Sequence, residues 1–327
     1  MSSLRFYVQR TLQSLLLLWV SATAIFLLFR LVPGDITSMM TLGGASEEAI
    51  EAFRERWGLN DPLYVQYRDF LINIFTLNAG TSLQFQTPVW EYVNTRIFNT
   101  FILAAPALTV AYILGGLFGT ILGYYKNSKF EQYGLIPVIF FGSFPAFFLS
   151  IVFLIVFSSW LGVFPVSGMV SSETMSSSSK WYDIYLTRDF LWHYTLPFTV
   201  IVLRYLFIPS LIMRTSVIEV MGEDFSFYNR MTGMPKSERL ANIAKHGSLP
   251  VITVYPATMT RAIGGLVLIE TVFNWPGIGF ALVEAVLARD FPVVQFVFVV
   301  IAAFVIFANF VVDILYARID PRVRVDQ

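Results

Sequence analysis

The sequence predicts an all-α integral membrane protein with six transmembrane helices and a small helical extracytoplasmic lobe. Hydrophobic residues make up 56% of the 327 positions and charged residues only 13%, against about 25% charged residues in a typical soluble domain. Six largely uncharged stretches reach the length of about 20 residues that a helix needs to cross a bilayer. The 22 basic and 22 acidic residues cancel, so no overall basic field favours binding to nucleic acid.

The six predicted spans have the approximate bounds 11–31, 100–125, 135–161, 195–214, 251–273 and 293–316. The first span, preceded by Arg5 and Arg10, resembles a signal peptide. Its apolar stretch is too long for a signal peptide, and no small-residue cleavage site follows it. The first span is therefore predicted to be retained in the protein.

Two groups of residues inside the spans predict particular helix geometries. Gly115, Gly119 and Gly123 recur every four residues on one face of the second span, a spacing that lets another helix approach closely. We expect these glycines to serve packing rather than contact with a substrate. Pro137 and Pro145 lie in the third span, and each removes a backbone hydrogen bond and favours a bend or break.

The distribution of Lys and Arg between the loops predicts the orientation of the chain, because cytoplasmic loops are enriched in these residues. With the N-terminus in the cytoplasm, most of the basic residues outside the spans fall on the cytoplasmic side: Arg5, Arg10, Lys126, Lys129, Arg214, Arg230, Lys236, Arg239, Lys245, Arg318, Arg322 and Arg324. The opposite side carries fewer basic residues and an excess of acids. Both termini are therefore predicted to be cytoplasmic.

The segment between the first two spans is too long for a simple connection and carries three signals for a helix start. Ser46 precedes two glutamates, Asp61 precedes Pro62, and Thr87 precedes Pro88. Polar caps, acids in a first turn and proline at the first helical position are typical of helix N-termini. We expect a small helical lobe that lies partly at the membrane interface, and a solvated connector is the alternative.

Residues 167–179 have the sequence SGMVSSETMSSSS. A serine-rich stretch of this kind buries little apolar surface and is not expected to pack. The sequence therefore predicts a mobile external loop.

No catalytic or metal-binding motif is present in the sequence. The chain contains no cysteine and no GxxxxGK[ST], HExxH or GxSxG pattern, so it lacks the usual phosphate loop, zinc protease motif and nucleophile elbow. The two histidines, His193 and His246, lie on opposite predicted sides of the membrane. We predict no catalytic residue and no metal site, which favours a transport or scaffold function.

Charged residues inside the spans require an explanation, because each is costly unless it faces a partner or water. Arg204 and Arg261 lie near the middle of the fourth and fifth predicted spans. They either pair with acids on another helix or subunit, or line a substrate pathway and contact carboxylates transiently. Glu270 and Asp313 lie near span ends, where helix capping or the neighbouring Arg318 accounts for them.

The loop between the fourth and fifth spans has the sequence EVMGEDFSFYNRMTGMPKSERLANIAKHGSLPVITV (residues 219–254). It resembles the cytoplasmic coupling loop of ABC-transporter permeases, in which an acid is followed by small residues, a glycine and a proline that opens the next span. Glu223, Asp224, Gly233 and Pro250 occupy these positions. The chain departs from the family, which usually has alanines and a lysine before the glycine, at Asn229, Met231 and Thr232.

Five further stretches resemble the dipeptide/oligopeptide branch of these permeases, of the first-permease type, and together with the loop they cover nearly the whole chain. They are FRLVPGD (29–35), RWGLNDPLYVQY (56–67), NAGTSLQFQTPV (78–89), ETVFNWPGIGFALVEAVLARDFPVVQ (270–295) and VVDILYARIDPRVR (311–324). The fourth of these stretches is a very close match to the outer segment that links the last two helices of the family. Its matching residues include Glu270, Trp275, Pro276, Gly277 and Gly279.

The resemblance implies the type I ABC importer permease fold. Residues 1–95 are then an N-terminal transmembrane helix with the extracytoplasmic lobe, residues 96–317 the importer transmembrane domain with a coupling loop at about 215–250, and residues 318–327 a cytoplasmic tail. The segment from about Phe225 to Met234 is expected to sit in a groove of an ATPase subunit. The coupling residues implied are Glu223, Asp224, Phe225, Tyr228, Arg230, Gly233 and Met234.

The resemblance also implies the function and partners of the chain. It is expected to be half of a peptide translocation pathway, paired with a second permease, two ABC ATPase subunits and an extracytoplasmic substrate-binding protein in the cell membrane. ATP and magnesium are expected on the ATPase subunits, with no cofactor on this chain. The same machinery importing oligosaccharides or another solute is one alternative. An ion-coupled secondary transporter is a more distant one, because no internal repeat is evident.

Overall fold

The computed structural model describes residues 3–31, 44, 46–56, 58–177, 180 and 182–319. These residues are almost entirely helical, with one isolated β-bridge between Thr81 and Pro88. Among the described residues, four helices are long and apolar enough to cross a membrane, and the number of spans rises to as many as six if each of two bent helix pairs counts as one span. The predicted all-α membrane fold is confirmed. Residues 32–35 of the FRLVPGD stretch and residues 320–327 of the predicted tail lie outside the described residues.

The α-helices of the described residues are α1 (Ser3–Leu31), α2 (Glu47–Arg56), α3 (Leu63–Phe75), α4 (Val89–Tyr124), α5 (Lys129–Ser143), α6 (Ala146–Phe153), α7 (Ser172–Ser177), α8 (Arg188–Tyr205), α9 (Phe207–Val220), α10 (Asp224–Met231), α11 (Lys236–Gly247), α12 (Leu249–Phe273), α13 (Ile278–Leu287) and α14 (Phe291–Ile319). A π-helical segment, Leu154–Trp160, continues α6, and a 3₁₀ turn, Asp183–Leu186, precedes α8. The chain forms two compact units, residues 1–97 with 281–327, and residues 98–280. The division into a lobe, a transmembrane domain and a tail stays a prediction.

One of the two prolines in the third predicted span breaks the helix. The axes of Lys129–Ser143 and Ala146–Trp160 meet at 101°. Pro145 lies at this break, and Phe144 before it has an extended backbone with ψ 145°, as expected for a residue that precedes proline. Pro137 lies inside the continuous helix α5, so the expected bend occurs at one proline only.

In the first unit, α1 packs against α14 in an antiparallel arrangement. Near the start of α1, Arg10 Nη1 lies 3.5 Å from Asp313 Oδ2 near the end of α14. At the opposite ends, the ring of Phe29 lies 6.2 Å from that of Phe291 and 6.3 Å from that of Phe298. The contact that accounts for Asp313 is therefore Arg10, on another helix.

The three predicted helix starts before the second span are confirmed. Helix α2 begins directly after Ser46, α3 directly after Pro62 and α4 directly after Pro88. The backbone N–H of Ile50 donates to the Ser46 carbonyl oxygen at 3.0 Å, which closes the first turn of α2. The segment between the first two spans is thus a helical lobe rather than an unstructured connector over its described residues.

In the second unit, the predicted glycine face lies between α4 and α9. A Cβ atom added to Gly115 would lie 2.6 Å from Pro209 Cγ, and one added to Gly123 would lie 2.7 Å from the carbonyl oxygen of Arg214. A Cβ atom added to Gly119 would collide with the backbone of Ser210. The predicted packing function of these glycines is confirmed.

The expectation that residues 167–179 do not pack is wrong for the first part of this stretch. Met169 is only 5% exposed and belongs to the core of the second unit. The backbone N–H of Gly168 donates to the carbonyl oxygen of Phe273 at 2.8 Å. The backbone N–H and hydroxyl of Ser171 both donate to Asp189 Oδ2, at 2.7 and 2.8 Å. Met169 and the partly buried Val170 pack on the core, and a carboxylate distant in sequence holds Ser171. Composition alone does not reveal any of these contacts.

Candidate functional site

The loop between α9 and α12 contains two helices joined by tight turns. Helix α10 has eight residues, with Asp224 in its first turn and Arg230 in its last turn. A negative charge near the N-terminus and a positive charge near the C-terminus of a helix both interact favourably with the helix dipole. Glu223, Asp224 and Arg230 are all exposed. Helix α11 follows, and Pro250 lies in the first turn of α12, where the sequence places the proline that opens the next span.

Helix α10 contains no buried residue and exposes large apolar side chains on one side. Phe227, Tyr228 and Met231 are 66%, 68% and 70% exposed. Residues i and i+4 lie on the same side of a helix, so these three side chains form a continuous surface, which we call the exposed α10 face. A cluster of exposed apolar side chains on a small polar element is typical of a protein interaction site.

The opposite side of α10 packs on α11. The rings of Phe225 and His246 lie 4.6 Å apart. The amide nitrogen of Asn242 donates to Met234 Sδ at 3.4 Å. Phe225 and Met234, both members of the predicted coupling set, therefore position α10 rather than form its exposed face.

Gly233 forms the turn between α10 and α11 through its backbone conformation. Its φ angle is +73°, and a Cβ atom added to it would meet nothing within 4 Å. The N–H of Thr232 donates to the Tyr228 carbonyl oxygen at 3.0 Å, and that of Met234 donates to the Asn229 carbonyl oxygen at 3.2 Å. Glycine in a left-handed conformation commonly ends a helix in this way, so this position requires glycine for its backbone and not for space.

The outer linking segment is organised around the fully buried side chain of Glu270. Its Oε1 accepts a hydrogen bond from Thr100 Oγ1 at 2.6 Å. Its Oε2 accepts from the backbone N–H groups of Gly279 and Phe280 at 2.8 and 3.0 Å. Because these N–H groups belong to the first turn of α13, Glu270 caps that helix. A Cβ atom added to Gly277 would collide with the same carboxylate.

A second set of hydrogen bonds fastens the turn after α12 to the helix α4. Trp275 is fully buried, and its Nε1 donates to the Asn99 carbonyl oxygen at 3.0 Å. Asn99 Nδ2 donates to the Pro276 carbonyl oxygen at 2.8 Å, and the Tyr185 hydroxyl donates to Asn99 Oδ1 at 2.5 Å. Burial raises the pKa of Tyr185 to about 12, so this hydroxyl keeps its proton. The sequence interpretation did not include Asn99, for which we find no local signal.

The two arginines inside the spans have different surroundings. Arg204 is half-buried in the last turn of α8, and its Cζ lies 5.6 Å from the ring centroid of Tyr205. Arg261 is exposed on α12. In the described part of the chain, no Asp or Glu lies within ion-pair distance of either guanidinium. Two explanations for Arg204 and Arg261 therefore remain. Each arginine pairs with an acid on another subunit, or it lines the substrate pathway.

One buried ion pair beside the loop was missed by the sequence interpretation. Arg214 Nε in α9 donates to Glu131 Oε1 in α5 at 2.6 Å, and Glu131 is 4% exposed. The backbone N–H of Asn127 donates to Glu131 Oε2 at 2.5 Å, and that of Glu131 donates to Ser128 Oγ at 3.2 Å. Ser128 and Glu131 have the S-x-x-E spacing of a capping box, so the sequence did contain a signal for Glu131.

The polar clusters of the described residues resemble neither a catalytic triad nor a metal site. His193 Nδ1 lies 3.2 Å from Asp189 Oδ1, but the nearby hydroxyl of Ser171 bonds to the carboxylate and not to the imidazole. A triad requires the hydroxyl to bond to the imidazole. No group of three His, Asp or Glu side chains that could hold a metal ion occurs within the described ranges.

The sequence matches two family models that together cover most of the chain. One describes a binding-protein-dependent transport system inner membrane component and matches residues 115–325. The other describes the N-terminal part of the same kind of component and matches residues 3–104.

Two relatives match along almost their whole length. The oligopeptide transport system permease protein AppB of Bacillus subtilis is 32% identical over 324 residues, with 97% of this chain and 98% of the relative covered. The di/tripeptide transport system permease protein DppB of Pseudomonas aeruginosa is 33% identical over 315 residues, with 91% and 92% covered. With its apolar helices, the chain is a multi-pass membrane protein. It belongs to the family of binding-protein-dependent transport system inner membrane components.

Proposed function

We propose that this chain is the permease subunit of an ATP-driven ABC importer and forms half of a translocation pathway for peptides. The family match supports a membrane component that works with an external binding protein. The names of both relatives support peptides as the solute. A second permease of the same kind, two ABC ATPase subunits and an extracytoplasmic substrate-binding protein complete the proposed assembly.

The exposed α10 face is the observation that carries this proposal. Phe227, Tyr228 and Met231 each leave about two thirds of their surface uncovered, although the helix that bears them packs on α11 through Phe225, and Met234 after it also contacts α11. In protein interfaces, truncation costs about 2 kcal/mol or more at the few central positions that dominate binding. We infer that this face binds a groove on an ATPase subunit.

The proposal places ATP and magnesium on the ATPase subunits and assigns this chain no catalytic residue and no cofactor. Consistent with it, the sequence has no phosphate-binding loop. The Arg10–Asp313 contact brings the start of α1 and the end of α14 to one side of the membrane. Together with the distribution of Lys and Arg, this supports cytoplasmic termini and a cytoplasmic α10.

The geometry supports a mechanical link between α10 and the spans. Closure of the ATPase subunits would displace α10 as a rigid body. Because α9 leads directly into this loop and α12 leads out of it, both helices would transmit the displacement toward the outer linking segment. A packed helix pair moves between discrete arrangements rather than deforming continuously.

Arg204 and Arg261 are the proposed cationic contacts of the pathway. Neither is paired with an acid in the described part of the chain, so both are available to a peptide carboxylate. Substituting both arginines with glutamine is expected to lower peptide uptake while assembly is unchanged. Unaltered uptake by that double variant would contradict this assignment.

The proposal is tested by purifying the chain from its own membrane in mild detergent and identifying the proteins that accompany it. We expect a second permease and ATPase chains, with ATPase activity stimulated by peptides and not by oligosaccharides. Met231→Ser should release the ATPase chains. Met175→Ser, which changes a comparably exposed methionine in α7, is the matched control and should retain them.

Three outcomes would contradict the proposal. If oligosaccharides alone stimulate the ATPase activity, the solute is an oligosaccharide and not a peptide, but the assignment as an ABC importer permease is retained. A chain that purifies without other proteins and moves solute down an ion gradient would favour a secondary transporter. Equal retention of the ATPase chains by Met231→Ser and Met175→Ser would remove the exposed α10 face from the interface.

A further inference from the structure

We propose that α3 is an interfacial helix whose uncovered apolar side lies in the outer leaflet of the bilayer, at the boundary between headgroups and acyl chains. It would hold the external lobe against the membrane. The inference rests on α1 being a transmembrane helix and on contacts within the first unit. It goes beyond the proposed function and does not depend on which solute the protein moves.

One side of helix α3 packs against the transmembrane helix α1. The hydroxyls of Thr23 and Tyr67 lie 2.6 Å apart. The ring of Phe26 lies 5.2 Å from that of Tyr67 and 5.4 Å from that of Phe70. Phe26 is only 2% exposed, so this contact is closely packed and defines the side of α3 that faces α1.

The position of this contact along α1 sets the depth of α3. The apolar part of α1, Phe6–Leu31, has 26 residues, which at about 1.5 Å per residue is longer than the hydrocarbon core of about 30 Å. Thr23 and Phe26 therefore lie about 12 and 7 Å before the end of this helix. The contact falls near the edge of the hydrocarbon core, at the depth of roughly 5–10 Å where interfacial helices bury their apolar side.

The side chains of α3 differ between its two flanks. Relative to the side that faces α1, Tyr64, Arg68 and Phe75 lie about a quarter to a third of a turn in one direction, and Asp69 and Asn73 lie at least a quarter turn in the other. Arg68 pairs with Asp69, with Nη2 2.8 Å from Oδ1, and a long arginine side chain can keep its charge at the headgroups while its methylene groups lie beside aromatic rings. Tyr64 and Phe75 are 75% and 76% exposed. At this depth, a helix that lies beside a transmembrane helix has one flank toward lipid and one toward water. We assign the flank with Tyr64 and Phe75 to lipid, with the guanidinium of Arg68 at the level of the headgroups, and the flank with Asp69 and Asn73 to water.

The last turns of α1, the helix on which α3 packs, also expose large apolar side chains. Leu28 and Leu31, in the last turns of α1, are 57% and 79% exposed, as expected for side chains that contact acyl chains. Leu63, at the start of α3, is 57% exposed. Tyr64 also has the amphipathic ring that is enriched at membrane interfaces. We therefore assign the occupant of the flank with Tyr64 and Phe75 to lipid and not to a protein partner.

Because this chain contains no cysteine, a single introduced cysteine is its only labelling site. The chain carrying Tyr64→Cys, Phe75→Cys or Asn73→Cys is labelled with an environment-sensitive fluorophore within the complete assembly, whose partner subunits have their cysteines replaced, and the assembly is reconstituted into phosphatidylcholine vesicles. Quenching is measured with a nitroxide-labelled lipid and with iodide in the external solution. Leu16→Cys, in the apolar middle of α1, is the positive control for lipid contact.

Labels at positions 64 and 75 should be quenched at least about twofold more by the nitroxide lipid than the label at position 73, and less by iodide. The label at position 73 should show the reverse. Equal iodide quenching at positions 73 and 75 would show that the flank is in water and overturn the proposal. Protection of positions 64 and 75 from both quenchers would identify a protein partner and overturn it equally. The two test positions are independent, so loss of one variant through misfolding leaves the other.

Discussion

Replacing Thr100 by valine tests whether the buried network around Glu270 stabilises the second unit. Valine has nearly the same shape as threonine but removes both hydrogen bonds of the hydroxyl. These are the donation to Glu270 Oε1 at 2.6 Å and the acceptance from the Ile278 N–H at 2.8 Å. The unbonded Ile278 N–H is the first backbone donor of α13.

The expected cost follows from the chemistry of the two bonds. A hydrogen bond to a charged group contributes about 1.5–3 kcal/mol and one between neutral groups about 0.5–1.5 kcal/mol. Because Glu270 is completely buried, water does not replace either bond. We expect Thr100→Val to lower the free energy of unfolding by about 2–4 kcal/mol. For a unit of this size, residues 98–280, that corresponds to a melting temperature lower by about 5–12 °C.

The assay is thermal unfolding of the purified protein in detergent, followed by tryptophan fluorescence. Trp275, one of the seven tryptophans of the chain, lies within the same network, so the total signal includes this region. Thr120→Val is the matched control, because Thr120 is also buried and its hydroxyl bonds only to the Gly116 carbonyl within the same helix. It should shift the melting temperature by less than about 2 °C. Equal shifts for the two variants would refute the argument that the network carries this stability.

Three further predictions concern α4, α9 and the loop. Gly119→Ala should lower the melting temperature, because its Cβ would overlap α9 and such overpacking costs about 1–3 kcal/mol. Gly116→Ala, whose Cβ meets nothing within 4 Å, should leave the melting temperature unchanged or raise it; similar losses for both would contradict the packing argument. Gly233→Val should reduce peptide-stimulated ATPase activity without dissociating the complex, whereas Gly233→Asn, which tolerates φ of +73°, should retain most of it; equal activities would exclude the backbone as the cause. Arg214→Gln should cost up to about 3 kcal/mol of stability, because it removes the charged partner of buried Glu131 and leaves it the Asn127 N–H. Adding Glu131→Gln should restore part of it in the same unfolding assay, and no recovery would argue against the ion pair.

The sequence predicted local features where the responsible residues are close together along the chain. The helix starts at Ser46, Pro62 and Pro88 are confirmed because proline and acidic residues favour a helix start through effects limited to its first turn. The break at Pro145 is confirmed for the same reason, since proline restricts the residue directly before it. The glycine face on α4 was also predictable, because a spacing of four residues places the glycines on one side of any helix.

The sequence did not predict contacts between residues distant along the chain. Asp313 lies within ion-pair distance of Arg10, because the antiparallel packing of α1 and α14 brings the two side chains together. The start of the serine-rich stretch packs because its own Met169 enters the core of the second unit and its Ser171 donates to Asp189 of α8. A composition that predicts little burial gives no information about such partners.

The sequence by itself determined the membrane class, the approximate spans, the family resemblance and the residues of the loop around α10. These depend on composition, on local propensity and on motifs read along the chain. The tertiary structure alone decided which side chains of α10 are exposed, that Thr100 and two N–H groups surround Glu270, and that α3 packs against α1. The physical reason is that burial and hydrogen bonding depend on distances in space, and helix packing joins residues that have no relation in sequence.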